Sequence, residues 1–166
     1  MPSENEARRM LFERAQRLER QSSRPPPPPV NPVRAAEAVA EARDLAARGQ
    51  YARAIPLLAS AADSPRYAVD ARRLQARLEQ RLGQPQRAIA TLKQALHTAE
   101  EDPATSAQLF SELADVHAQM REMGEAAYYQ RRAARLAPER PELYARLTAY
   151  DAANRARRHQ PATHAE

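Results

Sequence analysis

The 166-residue chain has no cysteine and no tryptophan, and only three glycines. Without cysteine there is no disulfide frame, no thiol nucleophile and no Cys-based zinc site. Three glycines cannot build a glycine-rich phosphate loop, and with few β-branched residues they argue against a sheet protein. No apolar run approaches the ~18–20 residues that a membrane span needs. Met1 to Arg20 is charged throughout and does not read as a signal peptide. The expectation is a soluble, cytoplasmic protein. Lysine is nearly missing as well: Lys93 stands alone among 26 basic residues. Lysine serves phosphate well as a point charge, so this bias reads as codon composition rather than chemistry.

What is present is mostly alanine, leucine and arginine, with 43% hydrophobic residues and a net charge of +5. The charge is uneven. Residues 1–34 hold seven Arg against four Glu, whereas residues 35–140 hold fifteen basic and fourteen acidic groups. A nearly neutral central region weighs against nucleic acid as the partner. A basic N-terminal arm on a helical scaffold remains as an alternative of that class, with Phe12 the one aromatic residue in the arm to stack on bases.

Residues 4–21 fit an amphipathic helix, with Met10, Leu11 and Leu18 as the large side chains of its stripe. An isolated helix of this length is marginal in water and needs a surface, in its own chain, a second copy or another protein. Arg24 to Val33 includes five consecutive prolines, which fix φ and lack N–H groups. That run reads as a polyproline II spacer, with a ligand for an aromatic-lined groove as the alternative. The domain reading is an N-terminal helix at 1–23, a Pro-rich linker at 24–33, a helical repeat domain at 34–158 and a disordered tail at 159–166.

The repeat shows itself by self-similarity. Gly49, Ala54, Ile55, Leu58 and Ala61 answer to Gly83, Ala88, Ile89, Leu92 and Ala95, each pair 34 residues apart. A fixed period of that size marks a helical repeat. Asn31-Pro32, Ser64-Pro65 and Asp102-Pro103 each read as an N-cap followed by a first-turn proline. With turns at Gly49, Gly83 and near Gly124, the expected helices are 32–48 and 51–62, 65–82 and 85–101, 103–121 and 124–137. A closing helix follows from Pro141 to about Arg158. Pro56 should bend or shorten its helix. The 38-residue step to the third unit is expected to lengthen the helix through Leu96, His97 and Ala99. The second unit's first helix has its stripe at Ala71, Leu74, Leu78 and Leu82.

These residues resemble the tetratricopeptide repeat. Ala42, Gly49, Ala54 and Leu58 in unit one, Ala76, Gly83, Ala88 and Leu92 in unit two, and Leu113, Ala114, Ala126 and Pro138 in unit three stand at the family's packing positions. The resemblance covers about residues 35–158. It implies an all-α, right-handed solenoid of three helix pairs plus a closing helix, with the first helix of each pair lining a concave groove. Family members bind an extended peptide or a helix there. By position the groove would include Arg43, Arg73, Arg77, Ser111, Asp115 and Gln119. Some members clamp a C-terminal carboxylate with asparagine where this chain has Arg43, Arg77 and Asp115, so that clamp is not implied.

Arg73, Arg77 and Arg81 form an i,i+4,i+8 row suited to an acidic partner, or to the acidic third unit as an internal counter-charge. No catalytic constellation, metal site or cofactor motif is found. His97, His117, His159 and His164 lack ligand spacing, and His117 sits on an apolar stripe as a packed core histidine would. The expected function is a non-enzymatic interaction module, an adaptor or assembly factor. A narrower alternative is a chaperone of a secreted, translocator-type protein, which the layout of an N-terminal helix, three repeats and a closing helix resembles. The N-terminal helix is a candidate dimer or partner contact through Met10, Leu11 and Leu18.

Overall fold

The structure, a computed structural model, describes residues 31–99 and 101–158. The expected N-terminal helix, the proline spacer up to residue 30 and the tail lie outside these residues. The described chain forms seven helices: α1 (Pro32–Ala47), α2 (Tyr51–Ala61), α3 (Ala68–Arg81), α4 (Pro85–Thr98), α5 (Pro103–Gln119), α6 (Met123–Leu136) and α7 (Pro141–Arg158). There is no strand among the described residues. None of the helices is long and apolar enough to cross a membrane.

The main packing partners of every helix are its neighbours in sequence, α1 with α2 through to α6 with α7. That is the quasi-one-dimensional contact pattern of a solenoid. An alanine on each helix of every pair, Ala42 and Ala54, Ala76 and Ala88, Ala114 and Ala126, is completely buried. Only a methyl side chain at such positions lets two helices approach closely. Two apolar clusters result, one around Ala42, Ala54 and Leu58, the other around Leu92, Phe110 and Leu113. Helix α3 bridges them, giving Ala71 and Leu78 to the first and Ala76 to the second.

Two of the three expected caps form. The Asn31 side chain accepts the Val33 N–H at 3.0 Å, and Asp102 accepts the N–H groups of Ala104 and Thr105 at 3.0 and 3.2 Å. Ser64-Pro65 does not open a helix, contrary to the pattern. The Ser64 N–H donates to the Ala61 carbonyl at 3.1 Å, closing α2, and a further turn intervenes before α3 starts at Ala68. Helix α2, which contains Pro56, is continuous but has 11 residues against 14 in α4 and α6.

The glycine turns are Schellman closures. In the first, the Gln50 N–H reaches the Leu45 carbonyl at 2.9 Å and the Gly49 N–H reaches Ala46 at 3.0 Å; the second repeats this at Gln84 and Gly83. Gly49 and Gly83 have φ of 74° and 70°. The third closure falls at Arg121 (φ 61°), not at Gly124, which lies inside α6. Glu122 and Arg121 make the same two bonds, to His117 and Ala118. The backbone register, and not the glycine, fixes the turn. The longer step to the third unit is taken up in both helices: α4 has 14 residues against 11 in α2, though it ends at Thr98 rather than 101, and α5 has 17 against 14 in α3. Leu82, expected on the apolar stripe, is the exposed C-cap of α3.

Buried polar groups are mostly partnered. Glu79 accepts the Thr91 hydroxyl at 2.8 Å and the Gln75 amide at 2.9 Å. His117 is a buried core histidine whose Nδ1 lies 2.6 Å from Glu122 and whose ring stacks on Tyr129 at 5.2 Å.

Candidate functional site

A channel of about 850 Å³ runs between α3, α5 and α7. Each wall follows from helical spacing. Arg73, Arg77 and Gln80 share one face of α3; Gln108, Ser111, Glu112, Asp115 and Gln119 share one face of α5; Leu143, Arg146 and Tyr150 share one face of α7. The closing helix is therefore a wall of the site as well as the cap of the stack.

The walls are knit together by charge. The Arg73 guanidinium donates to Glu112 through Nη2 at 2.6 Å and Nε at 3.2 Å, and Arg77 donates to the same carboxylate oxygen at 2.9 Å. The hydrogen bonds that Arg73 donates to Glu112 push its group further up, against the opposing effect of burial, so Arg73 stays charged. Its side chain is only 22% exposed and that of Glu112 19%, whereas Arg77 is 60% exposed. Both arginines thus share Glu112, Arg73 as the more buried partner and Arg77 as the more exposed one.

Opposite, Arg146 pairs with Asp115 and donates to the Ser111 hydroxyl at 2.9 Å, while the Tyr150 hydroxyl donates to Asp115 at 2.8 Å. Ser111 in turn donates to buried Gln130 at 3.1 Å, and the Gln130 amide donates to the Leu143 carbonyl at 3.0 Å. This chain ties α5, α6 and α7 into one unit. At the channel mouth Arg140 pairs with Glu142 at 2.7 Å. Four arginines face three carboxylates, which leaves the lining with one positive charge in excess.

Of the groove residues expected from the sequence, Arg73, Arg77, Ser111, Asp115 and Gln119 are brought together here. Arg43 and Arg81 are exposed and do not line the channel. For Arg81 the reason is geometric: steps of four residues drift by about 40° each on a 3.6-residue helix, and Gln80, seven residues from Arg73, returns to the face instead. For Arg43, the channel stops short of α1. Val39, which is in register with Arg73 and Ser111, is buried in the first core cluster. Met10, Leu11 and Leu18 lie outside the described residues.

Sequence reasoning missed Glu112, Arg146 and Tyr150 as lining residues. The i,i+4 spacing of Arg146 and Tyr150 was the available signal; nothing local marked Glu112. Chemically the lining offers donors, acceptors and paired charges. Ser111 has Gln130 and Arg146 as partners and no histidine lines the channel. No group of three or more His, Cys, Asp or Glu that could hold a metal occurs among the described residues.

No family model and no curated protein matches the sequence. Solved structures do match. The first TPR domain of Spaghetti (RPAP3), bound to the HSP90 peptide SRMEEVD, superposes with a TM-score of 0.61 at 18% identity, over 75% of this chain and 95% of that one. The Yersinia enterocolitica type III secretion chaperone SycD, in complex with a peptide of the translocator YopD, gives 0.59 at 19% identity, over 74% and 93%. The fold is therefore an all-α, TPR-like solenoid.

Proposed function

We propose that this TPR-like solenoid is a non-catalytic interaction module that holds a peptide or helix of a partner protein in the channel between α3, α5 and α7. The carrying observation is the channel itself. It is three-walled, has about 850 Å³ of space, and is lined by side chains that donate and accept hydrogen bonds along its length. Concave clefts with a few placed polar groups are the usual ligand sites of proteins. Both structural neighbours were solved with a peptide bound, which supports the same class of ligand here. The surplus arginine favours a segment with acidic residues, and Arg77 is the group placed to meet them. Under this reading the protein works as an adaptor or assembly factor in the cytoplasm.

The second reading narrows the partner to a secreted, translocator-type protein. It is favoured by the match to SycD over 93% of that chain.

A display selection of random peptides against the full chain tests the channel. Selected peptides should bind the wild type and lose at least about tenfold in affinity for Gln108→Trp, which fills the channel, and for Arg77→Glu, with helicity unchanged. Peptides that bind both variants as well as the wild type would place the site elsewhere. A selection that yields nothing would remove the reading.

A further inference from the structure

The second helices of the three pairs share a charge bias that the first helices do not. Helices α2, α4 and α6 contain Arg53, Arg87, Lys93, Arg131, Arg132 and Arg135 against one carboxylate, Glu125. Over the same three pairs, α1, α3 and α5 contain six basic and seven acidic residues. All six cations are exposed. Only Arg131 meets a carboxylate among the described residues, Asp151 at 3.2 Å. Arg53 and Arg87 bond the neutral side chains of Gln50 and Gln84. Folding therefore pairs most of the charge of the channel walls and leaves most of that of the second helices standing.

A cleft of about 250 Å³ opens on this same face, between α4 and α6 over the start of α5. Leu96, Pro103, Phe110 and Leu136 line it, with Arg132. Phe110 is buried, and the Arg132 guanidinium lies over its ring at 4.3 Å. Stacked in that way, the guanidinium keeps its N–H edge available for a carboxylate. Leu136, on the adjoining turn of α6, is 40% exposed. The space suits one bulky apolar side chain.

We propose that the second-helix face is a second docking surface, separate from the channel, for an acidic segment of a partner protein. The segment places one large apolar side chain in the cleft between Leu96, Phe110 and Leu136. Its flanking carboxylates meet Arg132, Arg135 and Lys93. Charge complementarity selects this occupant over the chain's own N-terminal arm, since residues 1–30 hold six Arg against four Glu. A nucleic acid satisfies the charge but has no side chain for the cleft. An anionic bilayer needs an apolar surface to enter it, and Tyr128 and Leu136 are the exposed large apolar residues on these helices.

The test uses the full chain and fluorescence anisotropy with labelled twelve-residue peptides of Asp, Glu and Ser that carry a central Phe or a central Ser. A single-stranded oligothymidylate and phosphatidylserine vesicles are run beside them. The Phe peptide should bind about tenfold more tightly than the Ser peptide, because it buries one aromatic side chain. Lys93→Glu combined with Arg135→Glu should weaken it at least about tenfold, as opposite charge becomes like charge. Both residues are exposed and without a partner that folding needs, so helicity serves as the control. Gln108→Trp in the channel should leave binding unchanged. The proposal is overturned by equal affinity for the two peptides, by loss of binding in Gln108→Trp, by tighter binding of the oligonucleotide or vesicles than of the Phe peptide, or by no measurable peptide binding.

Discussion

The left-handed turns allow a paired test with opposite signs. Gly83 has φ of 70°, and a Cβ built on it meets nothing within 4 Å. Gly83→Ala therefore introduces no tertiary clash, and its cost is the local backbone term alone. Holding a Cβ-bearing residue in the left-handed region costs about 1–2 kcal/mol. Stiffening the unfolded chain returns about 0.4–1 kcal/mol. The net is a destabilisation of about 1 kcal/mol. Arg121 occupies the equivalent turn at φ 61°, is exposed, and makes its turn bonds through backbone atoms. Arg121→Gly removes the strain and adds the unfolded-state entropy, so it should be neutral to about 1 kcal/mol stabilising. The bond from Arg157 reaches the Arg121 carbonyl, which the substitution keeps. In a domain of this size 1 kcal/mol moves the Tm by about 3–5 °C. Thermal and urea melts followed by circular dichroism read both changes, with an unchanged m-value as the sign that the folded state is intact. If Gly83→Ala were neutral, or if Arg121→Gly lowered the Tm by several degrees, the turn would not be governed by backbone handedness.

Ala88→Leu should overpack α3 against α4 and cost roughly 1–3 kcal/mol, because Ala88 is completely buried; exposed Gln86→Ala should stay within about 0.5 kcal/mol in the same melt. Ser111→Ala leaves buried Gln130 without a donor to its carbonyl oxygen, so a loss of about 1–3 kcal/mol is expected by urea titration. The Thr105 hydroxyl and N–H hold the Asp102 carboxyl below the usual range. Its contribution is present above the ordinary carboxylate pKa and disappears as pH falls through the lowered folded value, and a pH series of melts should show a shallower acid limb for Asp102→Asn. Replacing Met10, Leu11 and Leu18 together by Ser should leave the melt of the repeats unchanged and alter self-association or partner binding. Sedimentation and binding both unaffected would make the arm inert, and a collapsed melt would make it part of the core.

The sequence by itself determined the repeat. A fixed spacing of small residues is a local property of the text, and close approach of paired helices favours small side chains, so Ala54 and Ala88 announced the pairs before any contact was known. Caps were legible for the same reason at Asn31 and Asp102, where a side chain bonds its own next residues. Ser64 failed as a cap because the chain makes a further turn after it, with the Tyr67 N–H on the Ser64 carbonyl, and the helix begins only at Ala68. The third turn was expected a few residues late, because the backbone accepts Arg121 in the left-handed region once both flanking helices are fixed by packing; Gly124 has no role in the closure. The channel divides along the same line. Arg73, Arg77, Ser111 and Asp115 were placed by register within single helices. Their pairing through Glu112, Arg146 and Tyr150 depends on how α3, α5 and α7 face one another, at sequence separations of 35 to 39 residues. No local rule sets those contacts. The charge bias of the second helices was likewise invisible while charge was counted along the chain, because first and second helices alternate in sequence and only the tertiary stack sorts them onto different faces.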